Sequence, residues 1–219
     1  MRKLILILLP ILFMFSCKNG NKDGFTISGK ITDAEGKQLI LNKFTSTETL
    51  PLDTIILDKN GKYEFKYHTA APELFGLQLQ DQQAQIILIV DSLDELTVDA
   101  DGKDFRNSYK LSGSVNSDLL RDIYDQLDNA FVKVDSLNKI YMSKKENTNI
   151  DSLNKEIGDA YERIVQDHKD YSKSFIDINI KSPVAIMALY QSIGPRAPIF
   201  SLEEDREYFE KVDKSLYAL

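Results

Sequence analysis

The stretch K-L-S-G-S-V-N-S-D-L-L-R-D-I-Y-D-Q-L, from Lys110 to Leu127, is where the periodicity of the chain changes. Before Gly113 apolar residues recur at alternate positions, whereas after it Leu120, Ile123, Tyr124 and Leu127 follow steps of three and four. Alternation places side chains on one face of a strand, and steps of three and four line one face of a helix. The residues between suit the change, because Ser114 or Asn116 can cap a helix that starts there. The sequence therefore predicts an α+β fold, with an antiparallel β-sandwich over 25–113 and an α-helical array over 114–219.

Upstream, the alternating positions are Phe25, Ile27 and Ile31, then Leu39 and Leu41, then Tyr63, Phe65 and Tyr67, then Phe75, Leu77 and Leu79. The breaks carry turn chemistry in D-A-E-G at 33–36, D-K-N-G at 58–61 and D-G at 101–102. Each places glycine where the backbone must reverse, and short strands so spaced argue for an antiparallel sandwich. Ile86 to Val90 is apolar at every position, so it is expected to be a central strand or one covered on both faces.

Downstream, the helical period continues through Phe131, Val134, Leu137 and Tyr141 and resumes, after the polar run Lys144 to Asn149, from Ile150 to Phe175. Two long helices with a short loop between them should pack antiparallel. A third helix is marked by Ser182 as cap, Pro183 at its first position and Gly194-Pro195 as its stop. A fourth is expected from the capping box at Ser201 to Glu204, carrying Tyr208, Phe209, Val212, Leu216 and Tyr217. Its stripe runs to Leu219 without a C-terminal cap, so the helical region is expected to be incomplete at that end.

The chain opens with Arg2 and Lys3, an apolar run from Leu4 to Phe15 broken only by Pro10, and then Ser16 and Cys17. Charge, apolar run and small residue follow in the order of an export signal. The run is shorter than the roughly 20 residues that span a bilayer. The chain's one cysteine lies where lipoprotein signal peptidase cleaves, between Ser16 and Cys17, and where the thiol is diacylated. Met14 and Phe15 depart from the usual leucine and small residue of that motif. A diacyl anchor, at about 0.8 kcal/mol per buried methylene, suffices for stable attachment to membrane lipid. Residues 1–16 are thus expected to be a signal peptide and 17–24 a short flexible tether, since K-N-G-N-K-D-G is polar and glycine-containing.

Removing residues 1–16 takes two of the 27 basic residues and none of the 34 acidic ones, which moves the net charge from −7 to −9. So acidic a surface repels phosphate backbones, and no basic stripe offsets it, so nucleic acid is not an expected partner. With Cys17 committed to lipid, the folded part has no thiol pair for a disulfide or for redox chemistry.

The candidates for chemistry are few. His68 closes a strand, and His168 shares a helical face with Tyr161, Ile164 and Tyr171; neither has an evident catalytic partner, and His168 reads as a packing histidine. The acidic stretch Asp91, Asp94, Glu95, Asp99, Asp101 and Asp104 invites a calcium test. It fails, because Gly102 stands fourth rather than sixth in the loop from Asp99, and the twelfth position is Lys110 instead of glutamate. Gly29 and Gly36 form no phosphate-binding pattern, and G-S-V-N at 113–116 lacks the lysine of a P-loop. The ten tyrosines and eleven phenylalanines allow an aromatic-lined groove, but core packing is their default use. No catalytic residue, metal or cofactor is expected.

Several features together resemble the N-terminal part of a family of envelope lipoproteins. They are Cys17, the F-x-I-x-G-x-I strand at 25–31, L-D-T-I-I-L-D-K-N-G-K-Y-E-F at 52–65, K-L-S-G-S at 110–114 and S-P-V-A at 182–185. Members of that family end in a thioredoxin-like domain, as thiol-disulfide oxidoreductases of the alkyl hydroperoxide reductase and thiol-specific antioxidant type. The resemblance implies a sandwich domain of unknown function followed by helices that lead to a W-C-x-x-C domain. This chain has no tryptophan and no second cysteine, so no redox residue carries over.

The expectation is a lipid-anchored, non-catalytic binding or scaffolding module of the bacterial cell envelope, with an unknown envelope protein or ligand as partner. Two alternatives stand beside it: an N-terminal fragment of a periplasmic thioredoxin-like oxidoreductase, and a glycan or peptide binder. Lys18-Asn19-Gly20-Asn21 carries no acidic cluster after Cys17, so a periplasm-facing anchor is expected.

Overall fold

The computed structural model describes residues 24–146, 149–194 and 197–216. The expected signal peptide, Cys17, the tether before Gly24 and the end of the last helix lie outside these residues.

Eight strands form two four-stranded sheets: β1 (Gly24–Thr32), β2 (Gln38–Phe44), β3 (Thr49–Ile56), β4 (Lys62–His68), β5 (Glu73–Leu79), β6 (Gln85–Val90), β7 (Glu95–Asp101) and β8 (Lys110–Ser112). One sheet has the order β4-β1-β7-β8 and the other β3-β2-β5-β6. The inner faces carry the alternating residues read from the sequence, with Phe25, Ile27 and Phe65 of the first sheet meeting Leu41, Phe75 and Leu77 of the second. The rings of Phe25 and Phe75 lie 4.8 Å apart across the interface. On β4 the intervening Lys62, Glu64, Lys66 and His68 are exposed, which accounts for the period of two.

One pairing departs from the antiparallel expectation. β7 runs parallel to β1, with Thr26 opposite Glu95 and Thr32 opposite Asp101. The chain crosses from one sheet to the other in the turn after β6, and it re-enters beside β1 from the end at which β1 starts, so the two strands share a direction.

These crossings sort the loops into two poles. Gly24 and the loops 45–48, 69–72 and 91–94 lie at one, while 33–37, 57–61, 80–84 and 102–104 lie at the other.

β6 is an edge strand rather than a central one, and its apolar run reflects cover on both faces. Ile86, Leu88 and Val90 enter the sandwich core, whereas Ile89, with partly buried Ile87, joins a second core built from the helices. A one-turn helix, α1 (Phe105–Ser108), precedes β8, and the long helix α2 (Val115–Lys144) follows it. Ser114 caps α2 by accepting the N–H of Ser117 at 3.4 Å. Both hydroxyls then donate to the carbonyl of Ile89, at 3.2 Å from Ser114 and 2.7 Å from Ser117, and the Ile89 N–H donates to Ser117 Oγ at 3.1 Å. Side chains of the helix start thereby satisfy backbone groups that an edge strand would otherwise leave unpaired.

Asn149 caps α3 (Ile150–Ile178), its Oδ1 accepting the N–H groups of Asp151 and Ser152. Helices α2 and α3 form the expected long pair, each about 45 Å in length at 1.5 Å per residue. Three helix boundaries differ from the sequence expectation, the first by one residue: the expected third helix begins at Val184 with Pro183 as its N-cap, and Ser182 Oγ accepts the Val184 N–H from just outside it. Helix α4 (Val184–Leu189) stops before Gly194, because the chain turns at Gln191 to bring its side chain into the interior and then returns through a bridge between Ser192 and Pro198. Helix α5 (Arg206–Leu216) starts after the capping box and not at Ser201. Ser201 Oγ does accept the Glu204 N–H, but the Ser201 N–H donates to Asp205 Oδ2 at 3.0 Å, so the box closes a turn ahead of the helix.

Candidate functional site

A cavity of about 670 Å³ opens at the pole where β1 begins. Its lining includes Thr26, Lys66, Tyr67, His68, Leu93 and Glu95. Alternation on β4 sends Lys66 and His68 outward while Tyr67 turns toward the core, where its hydroxyl donates to the carbonyl of Leu52 at 3.0 Å. Lys66 pairs with Glu64, and among the described residues no side chain bonds to His68. The cavity thus offers an imidazole, an ammonium and a carboxylate around an apolar floor at Phe25. These groups suit binding of a polar ligand. A nucleophile held by a base within hydrogen-bond reach is not among the contacts of this cavity.

His168 is far from that pole in role as well as in sequence. It is buried between helices, with Nε2 2.8 Å from Gln191 Oε1, and Gln191 Nε2 donates to the carbonyl of Ile123 at 3.2 Å. Since that amide spends its N–H on Ile123, its oxygen accepts from His168, which fixes the Nε2–H tautomer. The ring also lies 6.4 Å from Tyr171. Three segments are tied together here, and burial holds the His168 pKa below its usual value, against the opposing effect of the Gln191 bond. A depressed histidine pKa means that the unfolded chain takes up the proton first, so stability is full above about pH 6.5 and falls as the pH drops through the window below it. Urea unfolding at pH 7.5 and 5.5 should show this loss, and His168→Gln should reduce it; an unchanged pH dependence in the variant would contradict the assignment.

The acidic stretch is drawn apart by β7, whose length of about 20 Å places Asp91 and Asp94 at one pole and Asp101 and Asp104 at the other. Four of the carboxylates accept backbone N–H groups: Asp91 that of Ser92, Asp94 that of Asp91, Asp99 that of Lys30 on the neighbouring β1, and Asp101 that of Lys103. Among the described residues no group of three or more His, Cys, Asp or Glu side chains is placed to hold a metal ion. Gly113 lies in the junction between sandwich and helix, and Gly36 in the β1–β2 turn.

One charged cluster was not visible in the sequence. Asp205, 2% exposed, receives Lys169 at 2.6 Å and Lys173 at 3.2 Å, and so fastens the start of α5 to α3. The spacing of the two lysines, four apart on one helix, is a readable signal; their partner 36 positions beyond Lys169 is not. Lys169 also stands over the Phe200 ring and Lys173 over Tyr208, which marks the cluster as part of the helical packing.

Residues 25–120 match the family model for a domain of unknown function, DUF4369. The matched segment contains the whole sandwich, the K-L-S-G-S junction and the first turns of α2 including Ser117, so it ends where the helix has docked on β6. No curated protein matches the chain.

Proposed function

We propose that this protein is a lipid-anchored lipoprotein of the bacterial cell envelope, periplasm-facing, whose sandwich and helices bind or scaffold a partner without catalysing a reaction. The observation that carries the reading is the position of Cys17, directly after Ser16 and the apolar run, and seven residues before the first strand starts at Gly24. Among the described residues no helix is long and apolar enough to cross a membrane. The carboxylates engaged in local turns and the buried, amide-bound His168 support a binding role over a catalytic one.

Labelled palmitate supplied to growing cells should enter the wild-type protein, and Cys17→Ser should lose the label and leave the membrane fraction. Label retained in the variant would refute the assignment of the anchor.

The order of motifs supports a second reading, in which the chain is the N-terminal part of a thioredoxin-like thiol-disulfide oxidoreductase. A W-C-x-x-C motif encoded within a domain length beyond Leu219 would favour it, and an immediate stop codon would favour the stand-alone module. The cavity beside His68 leaves room for a glycan or peptide ligand, which a thermal-shift screen would detect by the stabilisation that binding confers.

A further inference from the structure

The two poles of the sandwich differ in chemistry as well as position. The loops at the far pole carry Asp33, Glu35, Lys37, Asp58, Lys59, Asp81, Lys103 and Asp104. At the pole where the chain enters, the loop 69–72 reads T-A-A-P, with Ala70, Ala71 and Pro72 exposed and no charge; the charged and polar groups there include Glu48, Asp91 and Asp94 in the other loops and Lys66, His68 and Glu95 at the strand ends. The loop 91–94 presents Leu93 at its tip, 65% exposed, and holds it at a φ of +71°. Leu93 is pinned there, because its N–H donates to the carbonyl of Gly24 at 3.1 Å and the flanking Asp91 and Asp94 turn carboxylate oxygens onto N–H groups of the same turn. An exposed leucine in a backbone conformation that side chains rarely adopt runs against both burial and local preference.

The start of the helical region adds to this end. Val115, the first residue of α2, is 76% exposed, and its neighbour Asn116 accepts a hydrogen bond from Ser182, which follows the end of α3. Near that end Ile178 is 81% exposed, the highest value among the exposed large apolar residues. Leu93, Val115 and Ile178 thus stand out on the side at which Gly24 begins the fold.

We propose that this pole rests on the bilayer that holds the acyl chains of Cys17, with Leu93, Val115 and Ile178 entering its interfacial region. This rests on the lipoprotein reading above. The occupant follows from reach: six residues lie between Cys17 and Gly24, and the seven steps from one to the other can span at most about 25 Å, so the entry pole cannot move far from the lipid surface. Apolar side chains on such a face gain by burial of about 5–10 Å into the boundary between headgroups and acyl chains. The cavity beside Leu93 opens at this same pole, so its Lys66, His68 and Glu95 would meet the headgroup layer, while the far pole and the free end of the helical hairpin would be left to face partners.

The chain has no tryptophan, so a single introduced one reports its own position. Leu93→Trp, Ile178→Trp and the far-pole control Asn60→Trp would each be prepared as the mature chain and placed in phosphatidylcholine vesicles containing bromine-labelled acyl chains. Intact mass establishes beforehand whether Cys17 is diacylated; if it is not, a lipid coupled chemically to that thiol supplies the anchor, so failure of the anchor reading and failure of the pole proposal are read separately. Emission from positions 93 and 178 should shift to the blue and be quenched at least about twofold more than from position 60, as interfacial burial requires. Solvent-like emission at 93 and 178, or equal quenching at all three positions, would overturn the proposal and leave this pole free for a protein partner.

Discussion

Replacing Gly113 by alanine is expected to destabilise the protein by about 3 kcal/mol, the combined cost of a strained left-handed residue and a backbone collision. Gly113 has a φ of +96°, and a Cβ built there would stand 2.0 Å from the carbonyl oxygen of Glu95. The obstacle is backbone of β7 and cannot rotate away, so the chain must shift where it passes from β8 into α2. That shift would pull Ser114 and Ser117 from Ile89 and loosen the docking of the helices on the sandwich. Gly36→Ala is the matched control, because Gly36 also has a positive φ, +77°, but a Cβ there meets nothing within 4 Å. It should cost about 1 kcal/mol. Urea-unfolding midpoints of the two variants compare them directly, and equal losses would show that the contact with Glu95 is unimportant.

Removing the carboxylate of Asp205 should cost a similar amount, about 3 kcal/mol, because it leaves a buried cation without its partner. Lys169 is only 12% exposed at its side chain and has no comparably close acceptor, since Glu204 lies 3.6 Å away and is itself exposed. Lys173, 30% exposed, can turn to water more easily, so Lys173→Ala should have a smaller effect than Asp205→Ala. The acid behaviour gives an independent check. Burial raises the Asp205 pKa, but the bonds from Lys169, the Ser201 N–H and Lys173 outweigh it and hold the carboxyl below the usual range. A group with a depressed carboxyl pKa contributes stability that is present above its unfolded value, near 3.8, and is lost as the pH falls through the lower folded value. The difference in unfolding free energy between wild type and Asp205→Ala should therefore shrink on acidification below about pH 4. A gap of constant size would mean that the carboxylate is not the stabilising group.

How far the fold can be read from the residues depends on the range of the interaction involved. The inward positions Phe25, Ile27, Leu39 and Phe65 follow from alternation alone, and the switch at Gly113 follows from a change of period over a few residues. The run Ile86 to Val90 shows that both faces are covered, yet nothing local says that the second cover is a helix start docking on an edge strand. The parallel pairing of β1 with β7 joins residues such as Thr26 and Glu95, far apart in the chain, and has no local signature. Helix ends mislead for a related reason. Ser201 and Glu204 form the contact their spacing suggests, but the hydrogen bond from Ser201 N–H to Asp205 turns it into a separate turn.

The candidate site divides in the same way. That His168 packs between helices is legible in the apolar face it shares, while its partner Gln191 is supplied by a distant turn. The cavity beside His68 is assembled from three separate strand ends and from Leu93, none of which carries a local motif. By contrast, the proposed anchor is purely local, because export signals are recognised as linear segments.

That locality makes the central claim directly measurable. Mass spectrometry of the protein purified from its native membranes should find an N-terminus at Cys17, with residues 1–16 removed and a diacylglyceryl group on the thiol. An unmodified thiol at Cys17, or an N-terminus at another residue, would contradict the account.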